Sequence, residues 1–362
     1  MPKIPLVDVK AQYAPLVPQL KEAFAAALED GQFVFGPNVK AFEDEARDYL
    51  GTKQAIGVGN GTDALVLVLN AMEIAAGDEV ICPAFTFYAT AEAIARAGAT
   101  PVFADIDPVS LNLDVEDVQR KVTSRTKAIM PVHLFGRPAP VAELRALGLP
   151  LIEDAAQAFG SPEIATSVAS TFSFYPTKNL FALGDGGLVA CNDEELAERV
   201  RMLRFHGSKA KKTFEYIGTN SRLDEIQAAA LRIFLRELDR WTALRREAAE
   251  RYRELGLADL VEVPVDEPGH VYHLFVCRSP ERDRIREALT EAGIGNAQYY
   301  LPPLHLQPAL RYLGYSEGDL PVTEAVAADN FSVPLWAGIA AGQQEQVVDV
   351  VRAAVGVPAS AR

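Results

Sequence analysis

Seven short apolar runs, set apart by amphipathic segments, constrain this chain more than any other feature. Residues 55–58, 79–82, 100–104, 126–130, 150–152, 171–174 and 187–191 are brief and rich in Val, Ile and Phe, the pattern of buried strands. Between several of them, residues 62–72, 88–96 and 139–147 place apolar side chains at helical spacing. The order is broadly βαβα. It predicts an α/β fold with a mostly parallel sheet covered by helices on both faces, which binds ligands at the carboxyl ends of its strands.

The flanks differ from this centre. Leu16, Leu20, Phe24 and Leu28 recur at fourfold spacing and predict an N-terminal arm and helix over residues 1–30. After Arg222, the positions Leu223, Ile226, Ala230, Ile233, Leu238, Trp241, Ala248 and Tyr252 form one long helical pattern suited to linking two domains. A strand-like run over 271–277 and helical patterns over 283–291 and 343–354 then suit a smaller α+β domain. The expected division is an arm and helix (1–30), a large domain (31–235) and a small C-terminal domain (236–362), without internal repeats.

Charge excludes whole classes of function. The 362 residues carry 35 Lys and Arg against 49 Asp and Glu, a net charge of −14, so a nucleic-acid backbone would be repelled over most of the surface. The longest stretch without a charged side chain, residues 292–310, holds three prolines and two glycines, which a membrane-spanning helix disfavours. Residues 1–9 contain Lys3 and Asp8 and lack the apolar core of a secretory leader, so the expected location is cytoplasmic. Cys82, Cys191 and Cys277 are odd in number and widely spaced, which predicts buried thiols, and His270 and His273 stand in an apolar run without a metal-binding pattern.

Three segments carry chemistry. Gly57-Val-Gly-Asn-Gly-Thr-Asp63 follows a strand and opens a helix, where glycines admit a ligand and free N–H groups favour a phosphate; Asn60 or Thr62 acting merely as a helix cap is the alternative. It is neither a Walker loop nor a dinucleotide fingerprint. In Glu153-Asp154 an apolar strand ends in two carboxylates facing opposite ways, so one enters the crevice, unless Asp154 caps the next helix. Ser173-Phe-Tyr-Pro-Thr-Lys178, followed by Gly184-Asp-Gly-Gly187, sets a lysine just past a strand, where desolvation makes an amine nucleophilic. Together they are the parts pyridoxal phosphate requires: a phosphate cradle, an acid for the ring nitrogen and a lysine for the aldehyde.

With these motifs, and with Pro83-Ala-Phe-Thr-Phe-Tyr-Ala-Thr90, Pro131-Val-His-Leu-Phe-Gly136, Asn220-Ser-Arg-Leu-Asp-Glu-Ile-Gln227 and Pro303-Leu-His-Leu-Gln-Pro308, the chain resembles the nucleotide-sugar aminotransferases of the DegT/DnrJ/StrS family, fold type I pyridoxal phosphate enzymes. The resemblance runs nearly end to end. It implies Lys178 as the Schiff-base lysine and proton carrier, Asp154 as partner of the pyridine nitrogen, Gln157 near the ring hydroxyl, and Phe87 stacked on the ring unless it is an ordinary core aromatic. It also implies Gly61, Thr62 and Ser173 at the phosphate, with Asn220 reaching the phosphate of a neighbouring subunit in a homodimer. The implied reaction moves an amino group, with glutamate as donor, onto a keto group of a nucleotide-linked hexose.

Departures from the family pattern sharpen the expectation. The chain between Gln157 and Ser173 is short and Phe159 replaces a frequent histidine, so the loop 160–170 is expected to shape the edge of the site differently. Val34 stands where relatives acting at sugar C4 often have threonine, while Asn60-Gly-Thr-Asp63 is similar to relatives acting at C3. Lysine at 178, where a dehydrating branch has histidine, favours transamination. The basic segment 201–212, with Arg204 and Lys209, is a candidate for steering a sugar diphosphate, against the plainer reading of solvated surface charge; His305 is a candidate substrate contact or a core histidine. The rival functions are a cofactor-binding regulator without turnover and a different α/β nucleotide binder.

Overall fold

The computed structural model describes residues 3–356, so expectations touching residues 1, 2 and 357–362 lie outside the described residues. Each of the seven apolar runs overlaps a strand: β1 (Gln54–Val58), β2 (Glu79–Pro83), β3 (Thr100–Ala104), β4 (Thr126–Ile129), β5 (Ile152–Asp154), β6 (Ala169–Ser173) and β7 (Gly187–Cys191). The orders β1-β7-β6-β5 and β3-β2-β4 are joined through parallel bridges between Ile129 and Leu151 and between Val132 and Asp154. β7 is antiparallel to β1 and β6, and the other pairs are parallel.

Both faces are covered. Helix Gly61–Ala71 is apolar nearly all round and buries Leu65, Val68 and Leu69 in one cluster with Ile56, Val80 and Phe103, as a helix inside a large core does. On the other face Phe42 and Phe234 from two helices meet Phe172 and Phe174. The three cysteines are free and buried.

At the N-terminus a helical turn at Val9–Tyr13 precedes helix Val17–Asp30. Leu16 and Leu20 are buried, but Leu28 is 63% exposed. Fourfold steps advance the side chain about 400° at 3.6 residues per turn, so the stripe drifts off the buried face by its end. The arm before it is tied down by pairing: Ile4 donates to Gly293 O (3.2 Å) and accepts from Gly295 N (2.7 Å), and Leu335 N–H donates to Leu6 O (3.1 Å). A Cβ on Gly295 would lie 2.4 Å from the Leu6 nitrogen, so this close crossing requires glycine.

The long pattern after Arg222 is two helices, Glu225–Leu235 and Leu238–Glu254, broken at Arg236 and Glu237. The second buries Leu238 and Trp241 against the sheet cluster and Ala248, Ala249 and Tyr252 in a separate cluster with Phe275, Leu289 and Val347. Large apolar side chains buried this way stabilise by about 1.5–3 kcal/mol each, which fastens the helix to both. That second cluster surrounds an antiparallel pair, β8 (Phe275–Arg278) and β9 (Asn330–Val333), with helices Arg282–Glu291 and Ala341–Ala354. The 271–277 run becomes strand only at Phe275, because Tyr272 turns the backbone at φ 45°.

Candidate active site

A cavity of about 930 Å³ opens at the carboxyl ends of β5 and β6, beside the start of helix Gly61–Ala71, where an α/β sheet places its ligands. Asp154 ends β5 and faces it. Its N–H donates to Pro131 O (2.9 Å) and its carbonyl accepts from His133 N (3.0 Å), fixing the strand end. The carboxylate accepts from Thr90 Oγ1 (2.8 Å) and from Ala156 N (3.2 Å). Burial pushes its pKa up, against the pull of those donors and the Lys178 charge. The capping contact to Ala156 therefore coexists with a place in the cavity.

Glu153 faces the other way, as alternation along a strand demands. It accepts from His133 Nε2 (2.9 Å) and from the N–H groups of Ala165 and Thr166 (2.9 Å each). His133 Nδ1 accepts from Ala139 N (3.0 Å), so Nε2 carries the ring proton. Burial raises the Glu153 pKa, but the His133 hydrogen bond, with the others, brings it to about 2.

Lys178 follows β6 through a turn in which its N–H donates to Tyr175 O (2.9 Å), while Phe174 N–H donates to Gly186 O (2.8 Å). The half-buried side chain borders the cavity, and the protein packed around it lowers the amine pKa to about 8 against the opposing pull of Asp154.

The helix start combines both readings made from sequence. Asn60 caps it, accepting from Asp63 N (2.8 Å), and Ala64 N–H donates to Asn60 O (3.1 Å); Gly61 and Thr62 keep first-turn N–H groups, which have no partner within a helix. Two glycines permit the packing around them. A Cβ on Gly61 would lie 2.6 Å from Ser173 Cβ, and one on Gly187 would lie 2.4 Å from Asn60 O. Strand ends thus press on the helix start and shape an anion cradle, which no side chain fills.

Gln157 Oε1 accepts from Phe135 N (2.8 Å) and its Nε2 donates to Tyr300 OH (3.2 Å) at the cavity wall. Phe87 also lines the cavity and is 60% exposed, which sets aside its reading as a core aromatic. One cavity therefore gathers Gly61, Thr62, Phe87, Asp154, Gln157, Ser173 and Lys178. An anion cradle at one end, a buried acid and a weakly basic amine fit the phosphate, ring nitrogen and aldehyde of pyridoxal phosphate.

Other expected residues lie elsewhere. Asn220 is exposed, paired through its backbone with Phe205, and does not line its own chain's cavity. Arg204, Lys209 and His305, the expected substrate residues, do not line this cavity. Arg204 is buried, with its guanidinium bound to Glu43 Oε1 (2.6 Å) and Gly57 O (2.5 Å), and lies over Phe35. Lys209 is ion-paired with Glu198 at 2.9 Å, and both basic residues border a smaller cleft. His305 is buried with Nε2 3.0 Å from Glu324 Oε1, turned into the core by that pair. The loop 160–170 does not shape the cavity edge either: Glu153 draws Ala165 and Thr166 inward, and Phe159 packs on Phe172 and Phe174.

Sequence reasoning missed Leu6, Val7, Arg96, His273, Tyr299 and Tyr300, all of which line the cavity. The tandem tyrosines inside the uncharged stretch were a visible signal. Leu6 and Val7 gave none, because their place depends on pairing with residues about three hundred positions away. Among the described residues no group of three or more metal-ligating side chains occurs, and no helix is long and apolar enough to cross a membrane.

Known proteins resemble this chain over nearly its whole length. The model of the DegT/DnrJ/EryC1/StrS aminotransferase family matches residues 16–352. A pleiotropic regulatory protein of Geobacillus stearothermophilus is 45% identical, over 96% of this chain and 97% of its own. A dTDP-3-amino-3,4,6-trideoxy-alpha-D-glucose transaminase of Streptomyces venezuelae is 43% identical, over 97% and 96%. The crystal structure of DesV from S. venezuelae superposes with a TM-score of 0.95 at 41% identity, covering 99% of this chain and 100% of that one.

Proposed function

Because this chain belongs to the DegT/DnrJ/EryC1/StrS aminotransferase family, pyridoxal phosphate-dependent enzymes that act on nucleotide-linked sugars, we propose that it transfers an amino group from glutamate to the C3 keto group of a nucleotide-linked hexose. The observation that carries this reading is the weakly basic Lys178 amine sharing one cavity with the buried Asp154 carboxylate and an open helix start. C3 is supported by the Asn60-Gly-Thr-Asp63 motif and by relatives named for 3-amino or 3-oxo sugars linked to dTDP or UDP.

When bound, pyridoxal phosphate supplies an electron-accepting ring that stabilises negative charge on a substrate carbon. The chain's residues do the rest. Gly61 and Thr62 N–H groups, with the Ser173 hydroxyl, bind the phosphate. The Asp154 carboxylate, oriented by Thr90 and the Ala156 N–H, keeps a proton on the ring nitrogen. Phe87 and Gln157, the latter set by Phe135 N–H, line the cavity where they would hold the ring. With its pKa brought to about 8, the Lys178 amine is partly neutral near physiological pH, so Nζ can take a proton from one carbon and return it to another. Asn220, outside its own cavity, acts on the partner's phosphate in a homodimer.

Purified protein loaded with the cofactor is expected to change its visible absorbance on addition of glutamate and to recover it with a nucleotide-linked 3-keto hexose. Lys178→Ala should remove turnover, and NMR of the product should place the new amine at C3. The regulatory name of the G. stearothermophilus relative supplies a second reading, cofactor binding without turnover. An absorbance that does not respond to any amino donor would favour it.

A further inference from the structure

The last residues of β1 lead straight into the helix start at Gly61, and β1 is the edge of its sheet. An edge strand turns alternate N–H and carbonyl groups away from its neighbour, and these need partners from elsewhere. At Gly57 one ion pair meets both. Gly57 N–H donates to Glu43 Oε1 (2.8 Å) on helix Pro37–Leu50, while Arg204 Nη1 donates to Gly57 O (2.5 Å) and to the same Glu43 oxygen (2.6 Å). Arg204 is buried, the Glu43 side chain is only 18% exposed, and the guanidinium lies 4.9 Å over the Phe35 ring.

Two residues further along the strand, the same arginine acts through its backbone. Arg204 O accepts from Ser221 N (3.0 Å), and the buried Ser221 Oγ accepts from Gly59 N (2.9 Å). Gly57 and Gly59 are thus both held from one residue, just before Asn60 caps the helix. Little room is left around them: a Cβ on Gly57 would lie 3.0 Å from Leu223 Cβ, and one on Gly59 would lie 3.2 Å from Ser221 Oγ. A buried ion pair is a weak source of stability beside well-packed apolar side chains. What this one supplies is a fixed position for the strand end.

We propose that Glu43 and Arg204 are positioning residues for the cofactor phosphate: by fixing Gly57 and Gly59 they aim the first-turn N–H groups of Gly61 and Thr62 at it. This role rests on the reading of that helix start as the phosphate cradle. Donors already aligned bind an anion without the cost of ordering them, so a loosened strand end weakens the hold on the phosphate and leaves the contacts to ring and aldehyde unchanged.

The test titrates full-length apoprotein with pyridoxal 5'-phosphate and with pyridoxal, which has the same ring and aldehyde but no phosphate. Glu43→Leu combined with Arg204→Met leaves neither charge buried alone; it should weaken pyridoxal phosphate binding about tenfold, the worth of one hydrogen bond to a charged group, while pyridoxal binds as it does to wild type. Arg204→Lys, whose ammonium can donate to the two oxygens that Nη1 serves, should recover most of the loss. Ser221→Ala removes the acceptor of Gly59 N–H and keeps the ion pair, so it decides the matter if the double variant does not fold: pyridoxal phosphate should lose about threefold and pyridoxal nothing. A loss shared equally by the two ligands would overturn the proposal, as would a Lys variant that binds no better than the double variant. Wild-type protein that binds both ligands equally would remove the phosphate cradle and the cofactor reading with it, whereas a wild-type preference that persists unchanged in the variants removes the positioning role alone.

Discussion

Glu153 and Asp154 are neighbours in sequence, both buried, and held in opposite ways: one is anchored by a histidine and two N–H groups, the other is left facing a cavity. The anchored one invites a stability measurement. Glu153→Gln leaves His133 and two amides facing a weaker acceptor, and is expected to cost about 3 kcal/mol at neutral pH, read by urea denaturation. Because the folded pKa lies near 2, below the unfolded carboxylate value of 4.5, the wild-type advantage should be complete above pH 4.5 and fade as the pH falls toward 2. A variant as stable as wild type at neutral pH would contradict it. That one carboxylate alone would face the cavity followed from strand alternation, and the choice of Asp154 followed from the family resemblance. The fate of His305 and Arg204 did not, since their partners Glu324, Glu43 and Gly57 O lie on other elements.

Among the elements, the start of helix Gly61–Ala71 depends on a missing side chain. Gly61→Ala would drive a methyl group to 2.6 Å from Ser173 Cβ, and overpacking of this kind costs about 1–3 kcal/mol. Felt at the cradle, that weakens cofactor binding roughly tenfold or more, measurable by titrating apoprotein with pyridoxal phosphate. Gly342→Ala, where a Cβ meets nothing within 4 Å, should bind as wild type does. Unchanged affinity in Gly61→Ala would separate the helix start from the phosphate. Elements were the most legible level, because seven buried strands announce themselves by composition. Their breaks were not: nothing local marks Arg236 and Glu237 as a joint between helices, or Tyr272 as the residue that delays β8.

In the whole molecule, a tight loop between Gly207 and Gly218 presents Phe214, Tyr216 and Ile217 to solvent, with Ile217 99% exposed. Apolar side chains so displayed near Asn220 suit a subunit contact. Ile217→Asp is expected to shift the protein from dimer to monomer in sedimentation and to lower turnover with it. A monomeric wild type would defeat this expectation and the shared phosphate contact together. Composition weighed against nucleic acid partners from the outset, but the route of the arm was hidden, since it is set by pairing between distant segments. That route also bears on how the protein is made. The cavity is lined by Leu6 and Val7 at one end of the chain and by Tyr299 and Tyr300 near the other, so a ribosome must release most of the polypeptide before a vitamin-binding pocket exists, and no shorter nascent fragment can be rescued by its ligand.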